Sequence, residues 1–119
     1  MKLNNDCIRD VLLYLEETLD YDVFVYIEDI KNKIKEYDEK ELKYTIDKLN
    51  DGGLIIGTCD SYNNIMDIDK ITFKGHQYLD NIRDNRIWKL IKKETNSLKS
   101  VSIEIISEIA KSIILKQIL

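Results

Sequence analysis

Apolar residues recur at helical spacing from the start of the chain. Ile8, Val11, Leu12, Leu15 and Leu19 make one stripe, so a first helix is predicted to about Leu19, capped by Asn5 or Asp6. Asp20-Tyr21-Asp22 breaks that pattern, and the β-branched and aromatic run Val23-Phe24-Val25-Tyr26 predicts a short strand. Ile27, Ile30 and Ile34 repeat at three and four and predict a second short helix. Asp38-Glu39-Lys40-Glu41 is a capping box led by aspartate, and Leu42, Thr45, Ile46 and Leu49 face one way along the third helix that follows. Gly52 and Gly53 stop that helix, because glycine accepts the left-handed cap conformation. Residues 54–59 and 65–71 read as two strands joined by the turn residues Asp60-Ser61-Tyr62-Asn63-Asn64, which together predict a hairpin. Thr72 caps a fourth helix, in which Phe73, Leu79 and Ile82 point inward and Tyr78 borders them. Ile87, Trp88 and Ile91 carry a fifth short helix, residues 94–100 are a polar break, and a last helix runs from about Val101 to the end, capped at Ser100.

Helix, short strand, helix, helix, hairpin is the element order of a winged helix, with the hairpin as the wing. The helix over residues 38–51 then holds the recognition-helix position of a helix-turn-helix. The predicted fold is α+β and mostly helical: a winged-helix-like domain over residues 1–93, a polar connection over 94–100, and a C-terminal helical extension over 101–119 that packs or dimerises. This element order serves protein-interaction modules as well as DNA binders, so it fixes architecture better than role.

Composition narrows the class. A chain of 119 residues with 44% hydrophobic and 34% charged residues predicts one soluble globular domain. The apolar residues 101–119 are interrupted by Glu104, Glu108, Lys111 and Lys116 and do not make a membrane span. Two distant cysteines, Cys7 and Cys59, do not form a disulfide framework, and the expected setting is cytoplasmic with reduced thiols. The net charge of −4 is unevenly divided: residues 1–80 hold 10 basic and 18 acidic side chains, residues 81–119 hold 8 and 4. An acidic body with a basic tail argues against a surface uniformly attractive to phosphate, and allows a local basic stripe or head-to-tail association between copies.

Three stretches share one likeness. They are residues 1–13, residues 42–55, and Ile71-Thr72-Phe73-Lys74-Gly75-His76-Gln77-Tyr78-Leu79-Asp80-Asn81-Ile82-Arg83-Asp84, the last continuing to Ile87-Trp88 and being the most specific. They resemble the domain-of-unknown-function family 2513, short proteins of bacteria and their phages, over nearly the whole chain. The resemblance implies a winged-helix-like fold and a phage or mobile-element setting. It implies no established activity and no known catalytic residues. Where that family commonly has a Tyr-His pair in the third helix, this chain has Tyr44-Thr45, so no role of that histidine carries over.

Candidate contacts fall in three places. Lys40, Lys43, Tyr44 and Lys48 are the side chains a recognition helix would offer to DNA, yet the same segment carries five acids, Asp38, Glu39, Glu41, Asp47 and Asp51. Two unit charges 4 Å apart near a surface interact by up to about 4 kcal/mol, so these carboxylates offset several lysine–phosphate contacts. The basic candidates lie elsewhere: Arg83, Arg86, Lys89, Lys92, Lys93 and Lys99 cluster around Trp88, for phosphate or an acidic partner, or as a solvated face over a packed Trp88. Ile106, Ile109 and Ile113 lead the apolar side of the closing helix, widened by Ile103, Ile105 and Ala110 and continued by Ile114 and Leu115; they pack on the chain's own body, on a second copy, or on another partner.

Nothing in the spacing builds an enzyme, a cofactor cradle or a metal centre. His76 stands alone and reads as a buried or half-buried residue that hydrogen-bonds the hairpin, and Gly75 as a point of close approach. The leading expectation is a non-enzymatic binding module that works through protein contacts as a homodimer; the alternative is a DNA-binding transcriptional regulator.

Overall fold

A computed structural model describes every residue of the chain except Lys99 and Leu119. Its described residues form α1 (Asn5–Thr18), β1 (Val25–Tyr26), α2 (Ile27–Lys33), α3 (Glu39–Asp51), β2 (Ile55–Cys59), β3 (Ile65–Ile71), α4 (Phe73–Ile82), α5 (Asn85–Glu94) and α6 (Ile103–Ile118). The fold is α+β, with a small three-stranded antiparallel sheet ordered β1-β3-β2. The chain parts into two compact units, Met1–His76 and Gln77–Leu119, and α4 runs from the first into the second.

In the first unit the apolar stripes become the core. Ile8, Val11, Leu12 and Leu15 of α1 are buried, and Leu42, Ile46 and Leu49 of α3 with them. Each such side chain contributes roughly 1.5–3 kcal/mol when fully buried. α1 packs on α3 and on β3, the middle strand, whose Ile68 faces Val25 across the sheet; both are buried. The cap of α1 lies one residue earlier than expected: Asn4 Oδ1 accepts from the N–H groups of Asp6 and Cys7 at 3.0 and 3.2 Å. Asp38 caps α3 as expected, accepting from the Glu41 N–H at 2.8 Å. Gly53 ends α3 with a φ of +78°, while the Leu54 N–H returns to the Leu49 carbonyl at 2.9 Å. The hairpin turn is held by Asp60 Oδ1, which accepts from the N–H groups of Tyr62 and Asn64 at 2.9 Å each.

In the second unit α5 packs on α6, and Ile87, Trp88, Ile91, Leu98, Ile106 and Ala110 are buried. Asp84 caps α5, accepting from the N–H groups of Arg86 and Ile87 at 2.7 and 3.2 Å. The connection after α5 is a left-handed turn, with positive φ at Asn96, Ser97, Leu98 and Ser100.

Two expectations are corrected here. Phe73 does not point inward; it is 79% exposed, while Tyr78 is buried beside Leu79 and Ile82. At about 100° per residue, Phe73 lies half a turn from Ile82 around the helix. Ser100 does not cap α6. Its backbone is left-handed, with φ at 55°, and Ser102 Oγ takes the role instead, accepting from the Ile105 N–H at 3.2 Å.

Candidate functional site

The outer face of α3 opens onto a cleft of about 1050 Å³, bounded by α3, by the junction of β1 with α2, and by the hairpin tip. Local chemistry places each wall. The Tyr26 N–H at the head of α2 donates to Asp29 Oδ2 at 3.2 Å, which fixes the first turn of that helix. The Asp60 turn holds Tyr62 out at the hairpin tip, 85% exposed. From α3 come Lys40, Lys43, Tyr44 and Asp47, so three of the four proposed recognition-helix side chains line this cleft.

Its charge is not that of a phosphate groove. Four carboxylates, Glu28, Asp29, Asp47 and Asp60, line it against two lysines, Lys40 and Lys43. One of those lysines is already engaged: Lys43 Nζ lies 3.2 Å from Glu39, and Lys31 Nζ on α2 lies 3.0 Å from both Glu39 and Glu28. Hydrogen bonds from Lys31 first and Lys43 second hold the Glu39 carboxyl below the usual carboxylate range. The same pairings, with Glu28 first and Glu39 second, raise Lys31. The fourth candidate, Lys48, sits over the Tyr44 ring at 5.5 Å and 4.0 Å from Asp51. The sequence showed α3's own acids. It did not show that α2 brings Glu28, Asp29 and Lys31 against them, because that depends on how β1 joins the sheet.

A second cleft of about 580 Å³ lies in the same unit, where the end of α1 meets the sheet and the start of α4. Here His76 departs from expectation. It is exposed, and its Nδ1 faces Glu16 Oε2 on α1 at 3.9 Å rather than the hairpin. Gly75 explains the turn: Gly75 presses on Leu54 and Ile71, so the next residue points aside. Asp20 and the half-exposed Phe24 line this cleft too and were not singled out from the sequence; an aromatic amid turn-forming acids was the available signal.

The thiols divide by burial. Cys7 is fully buried, and burial pushes its pKa up to about 11, against a weaker lowering by a hydrogen bond with Thr45. It is a protonated core residue. Cys59 is exposed at the end of β2. Tyr37 donates to Asp10 Oδ2 at 2.7 Å, and burial together with that carboxylate raises the phenol well above its ordinary range. Both groups hold their protons longer when folded, so the unfolded chain releases protons first and stability falls as pH rises above 9. From the ordinary thiol value of 9.0 to the raised one near 11, Cys7 alone costs about 1.4 kcal/mol per pH unit. Urea melts at about pH 8 and about pH 10.5 check this, and Cys7→Ala should lose less stability over that interval than the wild type does. An equal loss in both removes Cys7 as a source.

The basic candidates sit on α5 and its approach. Arg86, Lys89 and Lys93 are exposed, Lys92 is half-buried, and Arg83 pairs with Asp80. Trp88 is 5% exposed, so it is packed and is not a contact residue. Lys99 lies outside the described residues. On α6, Ile106 is fully buried within its own chain, the first of the three alternatives for that stripe, while Ile109 and Ile113 are half-exposed. Ile105, Leu115 and Ile118 are 52%, 56% and 74% exposed. Among the described residues no helix is long and apolar enough to cross a membrane. No group of three or more His, Cys, Asp or Glu side chains among them is placed to hold a metal ion.

Comparison with known proteins gives a family and a relative. The family described as hypothetical protein (DUF2513) matches residues 2–102. An uncharacterized protein of Haemophilus influenzae is 29% identical over 117 residues, covering 96% of each chain. No solved structure matches.

Proposed function

The chain belongs to the family described as hypothetical protein (DUF2513), and from that membership and the chemistry of its cleft we propose a binding module of the winged-helix type that works through protein contacts as a homodimer. The scaffold reading rests on the order α1, β1, α2, α3, hairpin, with β1 paired to the outer side of β3. The role rests on one observation: the helix in the recognition position presents two lysines, one of them tied to a carboxylate, in a cleft where four acids face them. A duplex docked there would bring its phosphates against those acids, and each close pair opposes the gain from a lysine. Tyrosine and methionine at the rim favour a protein surface instead: Tyr26 is 57% exposed and Met66 is 48% exposed. Ile105, Ile109, Ile113 and Leu115 on α6 stay wholly or partly open, a second face available to another copy.

Anisotropy titration of mixed-sequence duplex DNA with the full chain tests the role. The expected outcome is no saturable binding between about 50 and 200 mM salt, and no change on replacing Lys40 and Lys43 by glutamate. Saturable, steeply salt-dependent binding that disappears in the Lys40→Glu, Lys43→Glu variant puts DNA on α3 and replaces this reading with the regulator.

A further inference from the structure

α5 is the one strongly basic helix among the described residues. It carries Arg86, Lys89, Lys92 and Lys93 against Glu94 alone over ten residues. Its apolar side, Ile87, Trp88 and Ile91, is buried, which turns Arg86, Lys89 and Lys93 outward at positions i, i+3 and i+7. Arg86 has Asp84 at 3.8 Å but keeps a side chain that is 84% exposed. Among the described residues no carboxylate stands against Lys89 or Lys93. This is a solvent-facing surface with a definite charge, and the same molecule holds its complement.

We propose that the basic face of α5 in one copy docks in the cleft between α2, α3 and the hairpin of a second copy. The proposal rests on the reading of the cleft as a protein-docking surface and names what fills it. Charge complementarity selects this occupant. The first unit carries 10 basic and 17 acidic side chains, the second 8 and 5. The first unit of a second copy, at net −7, is the attraction offered to that basic helix. Within the cleft, Glu28 and Asp47 meet the lysines, and the Tyr26 and Tyr62 rings cover their methylene stems and accept the cations. Tyr44 already takes Lys48 in that way on the same helix, at 5.5 Å.

Sedimentation of the full chain across salt, with two charge-reversed variants, tests it. One variant is Lys89→Glu with Lys93→Glu. The other is Glu28→Lys with Asp47→Lys, which leaves the Asp60 turn and the Asp29 contact at the head of α2 intact. The wild type is expected to dimerise at low salt and dissociate as salt rises. Each variant alone is expected to dimerise at least about tenfold more weakly, and an equimolar mixture of the two to regain dimers, because every reversed face then meets a complementary one. Circular dichroism at each step confirms the fold. A Lys89→Glu, Lys93→Glu chain that dimerises like the wild type overturns the proposal. If Glu28→Lys, Asp47→Lys still loses the dimer, the cleft remains a docking surface for another part of the second copy. Loss of dimer only in Ile109→Glu with Ile113→Glu overturns the proposal and leaves the α6 seam as the interface. A wild type that is monomeric at every salt also overturns it, while the duplex titration judges the cleft independently. So does duplex binding that vanishes in Lys89→Glu, Lys93→Glu, which makes α5 a phosphate contact.

Discussion

Gly75→Ala is expected to destabilise the protein by about 2 kcal/mol or more, against the ordinary trend for a helix, where alanine is better than glycine by up to about 1 kcal/mol. The sign is decided by space. A β-carbon built at Gly75 falls far inside van der Waals contact distance of the Leu54 carbonyl oxygen and 2.6 Å from Ile71 Cγ2. The carbonyl is not free to yield. The Leu54 carbonyl accepts from the Thr72 N–H at 2.9 Å, and the Leu54 N–H is itself bound to the Leu49 carbonyl at 2.9 Å. Thr72 Oγ1 meanwhile donates to the Gly53 carbonyl at 2.6 Å and accepts from the Gly75 N–H at 3.0 Å. The start of α4 is thus stapled to the corner between α3 and β2. Overpacking a well-ordered contact costs typically 1–3 kcal/mol, and here the obstacle is backbone, so the cost lies at or above the top of that range. Thermal or urea melts of Gly75→Ala beside Gln77→Ala, an exposed control expected within about 0.5 kcal/mol of wild type, give the answer. A Gly75→Ala chain as stable as the control would mean that α4 does not sit this close to Leu54. Gly75→Val should fall further, since it adds two more methyl groups to the same space.

The same corner shows what could be read from the chain and what could not. α1, α3 and β3 were legible because each has one apolar side, so burial has one solution: Leu12, Leu42 and Ile68 are all at 1% exposure or less. The stop at Gly53 and the cap at Asp38 were legible because they are local chemistry. α6 was not. Isoleucine stands at 103, 105, 106, 109, 113 and 114, nearly all round the helix, so spacing cannot choose the buried side. The structure buries Ile106 and Ala110 and leaves Ile105 half open. The partner of His76 was not legible for a different reason. Its direction follows from the fit of Gly75 against Leu54, a contact between residues 21 apart in the chain. The acidic character of α3 was visible, but the cleft itself is assembled from three segments that only the sheet brings together. Its reading as a protein surface therefore depends on tertiary structure in a way that the net charge of one helix does not.

Trp88→Ala is expected to cost about 3–5 kcal/mol, the range for removing a large buried aromatic. The ring is 5% exposed, between Ile87 in sequence and Ile91 one turn on, both buried on the same side of α5. Truncation leaves a void that a helix packed on α6 refills only in part, because the Asp84 cap and the Thr95 hydroxyl fix α5 at both ends. Thr95 Oγ1 donates to the Ile91 carbonyl at 2.7 Å and accepts from the Leu98 N–H at 3.1 Å. Since a domain of this kind is stable by only about 5–15 kcal/mol, the loss is a large share of the total. Trp88→Phe, which keeps most of the ring volume, should recover at least half of it. Trp88 is the sole tryptophan, so its fluorescence follows the second unit alone, while far-UV circular dichroism follows the whole chain. Coincident melts by the two signals describe one cooperative transition; separated melts give each unit its own, and then Gly75→Ala shifts one and Trp88→Ala the other. A Trp88→Ala chain that melts within about 1 kcal/mol of wild type would take the ring out of the core. It would also remove the anchor that turns Arg86, Lys89 and Lys93 outward, so the docking of α5 stands on the same packing that this substitution measures.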